Sequence, residues 1–159
     1  MSNQLADLCD QYGSKLQIVD PIFHQYGGVE TFQGEVTTIR VFNDFLLVKK
    51  TLLTPRRNRV LIIDGGGSRQ VALLGDKLAQ LGVDNQWAGI VINGCIRDSG
   101  AIGKLSIGIK ALGTCPIKPA MVDEGEQDVR VIFASTIFQP GSYVYADEDG
   151  IAVSDSLLT

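Results

Sequence analysis

Apolar positions along this chain fall into short runs with two different periods. Leu5, Leu8, Cys9 and Tyr12 recur at three- and four-residue spacing, which predicts a short helix over residues 3–12. From Gly34 to Phe42 the residues are β-branched and alternate after Val36, the pattern of a strand. Asn43 or Asp44 can cap the helix expected next, which runs through Leu46, Leu47, Lys50 and Leu53 until Pro55. Arg59 to Asp64 is a continuous apolar run that stops at Gly65-Gly66-Gly67, as in a strand covered on both faces. Ser68 then stands before a helical stripe of Val71, Leu74, Leu78 and Leu81. A second buried run, Gly89 to Gly94, ends just before Cys95-Ile96-Arg97-Asp98. Strand, helix and strand in this order predict a βαβ unit with parallel strands and a right-handed crossover.

The last third changes character. Ile107–Leu112, Val129–Phe133, Thr136–Phe138, Tyr143–Ala146 and Ile151–Val153 are short runs separated by Gly, Pro and acidic turns, so this part is mainly β. No repeat, linker or low-complexity stretch interrupts the chain, and the expectation is one α/β domain over residues 1–159.

Composition narrows the function classes. The 159 residues include 14 Lys plus Arg against 18 Asp plus Glu, a net charge of −4, which argues against direct binding of a nucleic-acid backbone. Cys9, Cys95 and Cys115 are far apart and form no CxxC pair, so neither a disulfide framework nor a zinc knuckle is indicated. The polar, acidic start is unlike a signal peptide, and the most apolar stretch, Ala88 to Ile96, is too short to span a bilayer. These features predict a soluble, cytoplasmic protein without membrane contact.

Several residues could carry chemistry. The turn Asp64-Gly65-Gly66-Gly67-Ser68 suggests a phosphate loop, yet Gln70 stands where a dinucleotide fingerprint needs glycine, and Leu105 follows Gly103-Lys104 where a Walker loop needs Ser or Thr. A tight strand-to-helix turn is the simpler reading. His24 is the sole histidine and has no nucleophile elbow to serve; Cys95, in an apolar run, reads as a small core residue. Arg97-Asp98 follows directly on a buried strand, where α/β sheets open their ligand crevices. The Arg fork can bind a carboxylate or enolate, and the Asp can offer oxygen to a hard divalent cation; an ordinary loop with Asp98 capping the next helix is an equal reading. Gly75 lies inside the helical stripe. The period favours one unbroken helix, whereas a break at Gly75 would free the following amides for an anion.

Taken together, Val60–Ser68, Ala72-Leu73-Leu74-Gly75-Asp76 and Gly89–Asp98 resemble the RraA-like family. That family unites the regulator of ribonuclease activity A with metal-dependent 4-hydroxy-4-methyl-2-oxoglutarate aldolases. The likeness extends to Leu8-Cys9-Asp10 and to Tyr143–Asp147, and so over nearly the whole chain. It implies a single swivelling β/β/α domain, assembled as a homotrimer with sites between subunits.

The resemblance implies two competing functions. As an aldolase, the protein would cleave 4-hydroxy-4-methyl-2-oxoglutarate to two pyruvates and decarboxylate oxaloacetate, both through a pyruvate enolate. As a regulator, it would bind ribonuclease E and inhibit RNA processing without chemistry of its own. For the enzyme, the resemblance makes Gly75, Asp76, Lys77 and Leu78 the amide cradle for a substrate carboxylate. Arg97 would hold the reacting oxygen, and Asp98 would position Mg²⁺ or Mn²⁺. One departure favours the regulator: active aldolases of the family usually carry an acid three residues after the Arg-Asp aspartate, and here that position is Ala101. Those aldolases also tend to be longer at the C-terminus than a chain stopping at Thr159.

Overall fold

The computed structural model describes residues 4–122 and 124–158. In chain order the elements are α1 (Leu5–Tyr12), β1 (Gln17–Ile18), β2 (His24–Gln25), β3 (Phe32–Arg40), α2 (Leu46–Leu53), β4 (Arg59–Asp64), β5 (Ala72–Leu74) and α3 (Asp76–Asp84). They continue with β6 (Gly89–Ile96), α4 (Ser99–Ile102), β7 (Gly108–Thr114), β8 (Glu126–Gln127), β9 (Val131–Phe133), β10 (Thr136–Phe138), β11 (Tyr143–Asp147) and β12 (Gly150–Ser154).

One sheet organises the chain in the order β1-β12-β11-β3-β4-β6-β7-β2, with β5 beside β6 and β8 beside β3. Its centre is parallel: β3 with β4, β4 with β6, and β6 with both β5 and β7. The flanking pairs are antiparallel. Strands β4 and β6 read as unbroken apolar runs because both of their faces are covered. Leu61, Ile63, Ile90 and Ile92 pack with Leu47, Val48 and Leu52 of α2, Ala79 of α3 and Ile102 of α4. The alternate residues Val60, Ile62 and Val91 pack on the other side with Val131, Phe133 and Phe138 of the β9–β10 hairpin. Helices, sheet and hairpin therefore form three layers, the β/β/α arrangement that the family resemblance implies.

Two expectations are corrected in the helical layer. Residues 68–81 are not one helix: Ala72–Leu74 form strand β5, and α3 starts only after Gly75. The spacing of Val71, Leu74, Leu78 and Leu81 is helical, but Ala72 and Leu74 are drawn into the sheet by pairing with Cys95 and Ile96. The glycine turn consequently joins two strands, and its amides are consumed locally. Gly65 and Gly67 donate to the Asn93 carbonyl at 3.1 Å each, Gly66 to Asp64 Oδ1 at 2.9 Å, and Ser68 to the Gly65 carbonyl at 3.3 Å. Gly66 and Gly67 take left-handed φ of 68° and 73°, which only glycine adopts freely. This loop has no amide left for a phosphate.

Strand β3 lies two residues earlier than its pattern suggested, because Phe32 and Gln33 pair with Ala146 and Tyr145 of β11. His24 is exposed on edge strand β2, with its ring edge-on to Tyr26. Cys95 is buried, and desolvation raises its thiol pKa, with Arg69 opposing, so it stays a protonated core residue. No helix among the described residues is long and apolar enough to cross a membrane.

Candidate functional site

The parallel strands β5 and β6 end side by side, and the segments leaving their C-terminal ends open into one cleft. Residues Gly75, Asp76, Lys77 and Leu78 form the start of α3, and Arg97 and Asp98 come directly after β6; all six line a cavity of about 640 Å³. The register that pairs Leu74 with Ile96 is what brings the two segments together, and the Arg97 amide donates to the Leu74 carbonyl at 2.9 Å.

Successive residues of a strand point to opposite faces. That alternation ends at Asp98, whose φ of 57° is left-handed, and both Arg97 and Asp98 contribute to the cleft. Asp is among the residues that tolerate this conformation, at a cost of order 1 kcal/mol. Asp98 holds the N-cap position of α4 but makes no capping bond there. Its Oδ2 instead accepts the Asp76 amide of α3 at 3.1 Å. The carboxylate thus ties the two segments of the site together, a role that neither sequence reading contained.

Gly75 is needed for space. Its backbone is extended, with φ of −120°. A Cβ there would sit 2.8 Å from Asp98 Oδ2 and 3.5 Å from the Arg97 Cγ and Nε. The absent side chain lets both functional groups lie against the backbone at the helix start. Of the four residues expected to supply amides, Asp76 has given its own to Asp98. The Lys77 and Leu78 amides, in the first turn of α3, have no acceptor among the described residues and lie at the positive end of the helix dipole.

The opposite wall comes from parts of the chain that the sequence did not single out. Phe45 and Lys49 stand at α2, and Lys118, Pro119 and Met121 on the segment after β7. Buried Asp44 holds these parts together. Its Oδ1 accepts the Leu46 amide at 3.0 Å, and its Oδ2 accepts the amides of Val122 at 3.1 Å and Glu124 at 3.2 Å. Of Asn43 and Asp44, the two candidate caps of α2, Asp44 serves the helix start, from the position before the cap residue Phe45. The Ala120 amide donates to the Asn43 carbonyl and the Phe45 amide to the Ala120 carbonyl, which fixes the same segment against α2.

The donor set of the cleft bears on a metal. Asp98 is exposed to the cleft, with Asp76 beside it, and among the described residues no group of three or more His, Cys, Asp or Glu side chains is placed to hold a metal ion. A closed zinc site needs four protein ligands and does not fit. Mg²⁺ or Mn²⁺ does fit, since such hard ions take one or two carboxylates and fill the remaining positions with water and substrate oxygens.

The three layers, and a cleft at the ends of adjacent parallel strands, define a class of protein. The family model RraA-like, described as Aldolase/RraA, matches residues 2–153, and the chain belongs to that family. A curated relative from Aromatoleum aromaticum, named "Putative 4-hydroxy-4-methyl-2-oxoglutarate aldolase", is 50% identical over 158 residues, covering 99% of each chain. A solved structure from Geobacillus kaustophilus, described as S-adenosylmethionine: 2-dimethylmenaquinone methyltransferase, aligns with a TM-score of 0.96 and 46% identity. It covers 98% of this chain and 96% of that one. A second, the "RNA-processing inhibitor RraA from Thermus thermophilis", aligns with a TM-score of 0.96 and 37% identity over 100% and 96% of the two chains. Three different roles are thus named on one fold, so the choice among them rests on the site.

Proposed function

We propose that this protein is a divalent-metal-dependent aldolase that cleaves 4-hydroxy-4-methyl-2-oxoglutarate to two pyruvates and also decarboxylates oxaloacetate. The observation that carries the reading is the convergence of two free amides, an Arg fork and a carboxylate on one cleft. The aldolase name of relatives near 50% identity supports the same class of reaction.

The 2-oxo acid carboxylate is received by the Lys77 and Leu78 amides. Cleavage removes the proton of the 4-hydroxyl and breaks the C3–C4 bond. One pyruvate departs, and the bonding electrons pass through C3 to the C2 oxygen as an enolate. Arg97 faces that oxygen and stabilises its growing charge, which is more valuable in the transition state than in the bound substrate. Protonation at C3 then yields the second pyruvate, and all atoms of the substrate appear in the two products. Loss of CO2 from oxaloacetate leaves the same enolate, so one arrangement serves both. Asp98 would hold a Mg²⁺ or Mn²⁺ ion, which would supply Lewis-acid polarisation of the 2-oxo group. Asp98 also keeps Asp76 and the start of α3 in place through its 3.1 Å hydrogen bond.

Pyruvate release from each substrate, followed with Mg²⁺ and then with EDTA, tests the proposal. Turnover should stop with EDTA, and Asp98→Ala should lower it by about 10²–10³-fold, the usual effect of removing one group that stabilises developing charge. Unchanged turnover in Asp98→Ala would remove this residue from the mechanism.

A second reading is favoured by one residue. Ala101, exposed on α4, stands where the family resemblance places an acid. A protein without that acid would act as a regulator by binding ribonuclease E; the Thermus neighbour is described as an RNA-processing inhibitor. Absence of turnover above the free-metal background, with retention on immobilised ribonuclease E, would select this reading. Both readings include assembly as a homotrimer, which sedimentation analysis would reveal.

A further inference from the structure

The cleft contains more positive charge than a single substrate carboxylate needs. Among the described residues, Lys49, Lys77, Lys118 and Arg97 line it against Asp76 and Asp98, in a protein whose net charge is −4. One carboxylate is already provided for by the start of α3, and Arg97 serves the 2-oxo oxygen. Lys49 and Lys118 belong to the opposite wall, and neither has a carboxylate within ion-pair distance among the described residues.

Lys118 is also positioned. Its ammonium lies 5.5 Å from the centroid of the Phe45 ring, a cation–π contact that orients the head group without neutralising it. Pro119 restricts the chain after it, and the Asp44 clamp holds the segment to α2. A cavity of about 640 Å³ is in the size range that takes ligands much larger than a three-carbon acid.

We propose that Lys118, assisted by Lys49, forms a second carboxylate subsite that selects 2-oxo acids carrying a distal carboxylate. This inference rests on the aldolase reading, because it assumes that the 2-oxo acid end is bound at α3 and Arg97. The Phe45 ring and Met121 line the cleft beside these lysines and give the subsite its apolar surface.

The test uses two acids of equal chain length, 2-oxoglutarate and 2-oxopentanoate, which differ only in the distal group. Their affinities are measured by calorimetry in Mg²⁺ on the wild type, Lys118→Met and Lys49→Met. The wild type should prefer 2-oxoglutarate by about tenfold or more, the value of one hydrogen bond to a charged group. Lys118→Met should abolish most of this preference while leaving 2-oxopentanoate within about twofold, as expected when only a distal contact is lost. Lys49→Met should reduce it less. Exchange of pyruvate methyl protons with D2O is followed on the same samples, since it requires only the first subsite. Exchange without a 2-oxoglutarate preference, or a preference that survives in the Lys49→Met/Lys118→Met double variant, overturns the second subsite alone. Loss of both exchange and binding in the wild type overturns the aldolase reading and the subsite with it.

Discussion

On one side of the cleft, Gly75–Leu78 and Arg97-Asp98 stand at the ends of neighbouring parallel strands, and backbone pairing fixes their positions. On the other side, Phe45, Lys49, Lys118 and Met121 come from a helix and an irregular segment, held by hydrogen bonds to one buried carboxylate. The first wall is precise because the sheet is rigid, and its residues carry the reaction in our reading. The second depends on Asp44 and supplies only charge and shape. Catalysis is therefore expected to be sensitive to sub-ångström changes at the first wall, and selectivity to the loss of single charges at the second.

Substitutions on the first wall should have the largest effect. Gly75→Ala places a Cβ 2.8 Å from Asp98 Oδ2, the end of a flexible side chain, so the fold should survive with little change in Tm. Displacing Asp98 and Arg97 should nonetheless lower kcat/KM by about 10²-fold, the penalty for a misplacement near 1 Å. A near-normal rate in this variant would show that the first wall is less exacting than its geometry suggests. Arg97→Lys should rank next, with a loss of roughly 10-fold or more in kcat, because a point charge does not reproduce the two-donor fork.

Asp44→Ala attacks the second wall. Among the described residues it leaves three backbone amides without their acceptor, at about 1–3 kcal/mol for a buried group left unsatisfied, and should lower Tm measurably. Its effect on pyruvate proton exchange should be smaller than that of Gly75→Ala, although Gly75→Ala is the milder change in stability. The reverse order would mean that the two walls do not divide the work as described.

Lys110 provides a control away from both walls. It is 5% exposed on β7, with its ammonium donating to the Asp147 carbonyl at 2.8 Å, and burial lowers its pKa below the usual value. The unfolded chain then binds the proton more readily than the folded one, so this lysine costs stability below its folded pKa. The cost is relieved as pH rises towards 10.5. The stability difference between wild type and Lys110→Met, from denaturant titrations at several pH values, should therefore move in favour of the wild type as pH rises. Turnover should not change.

The same contrast between the walls explains what could be read from the sequence. Arg59–Asp64 and the run from Gly89 were legible because strands covered on both faces leave continuous apolar runs. Arg97-Asp98 was legible as a candidate because it ends such a run. The start of α3 was not, since the stripe from Val71 to Leu81 has helical spacing and only pairing with β6 turns Ala72–Leu74 into a strand. Gly75 was the single local signal of that break. The Lys118 wall left no signal, because it depends on Asp44 accepting amides 78 and 80 residues further along the chain. The curated relatives and solved neighbours agree with the family resemblance carried by the first wall and are silent on the second.

The most direct test of the central claim is the exchange of pyruvate methyl protons with D2O, followed by proton NMR, because it isolates formation of the enolate from cleavage and product release. With Mg²⁺ the wild-type protein should exchange these protons well above the free-metal rate, and EDTA or Asp98→Ala should return exchange to background. Exchange at the free-metal rate in the wild type would contradict the account.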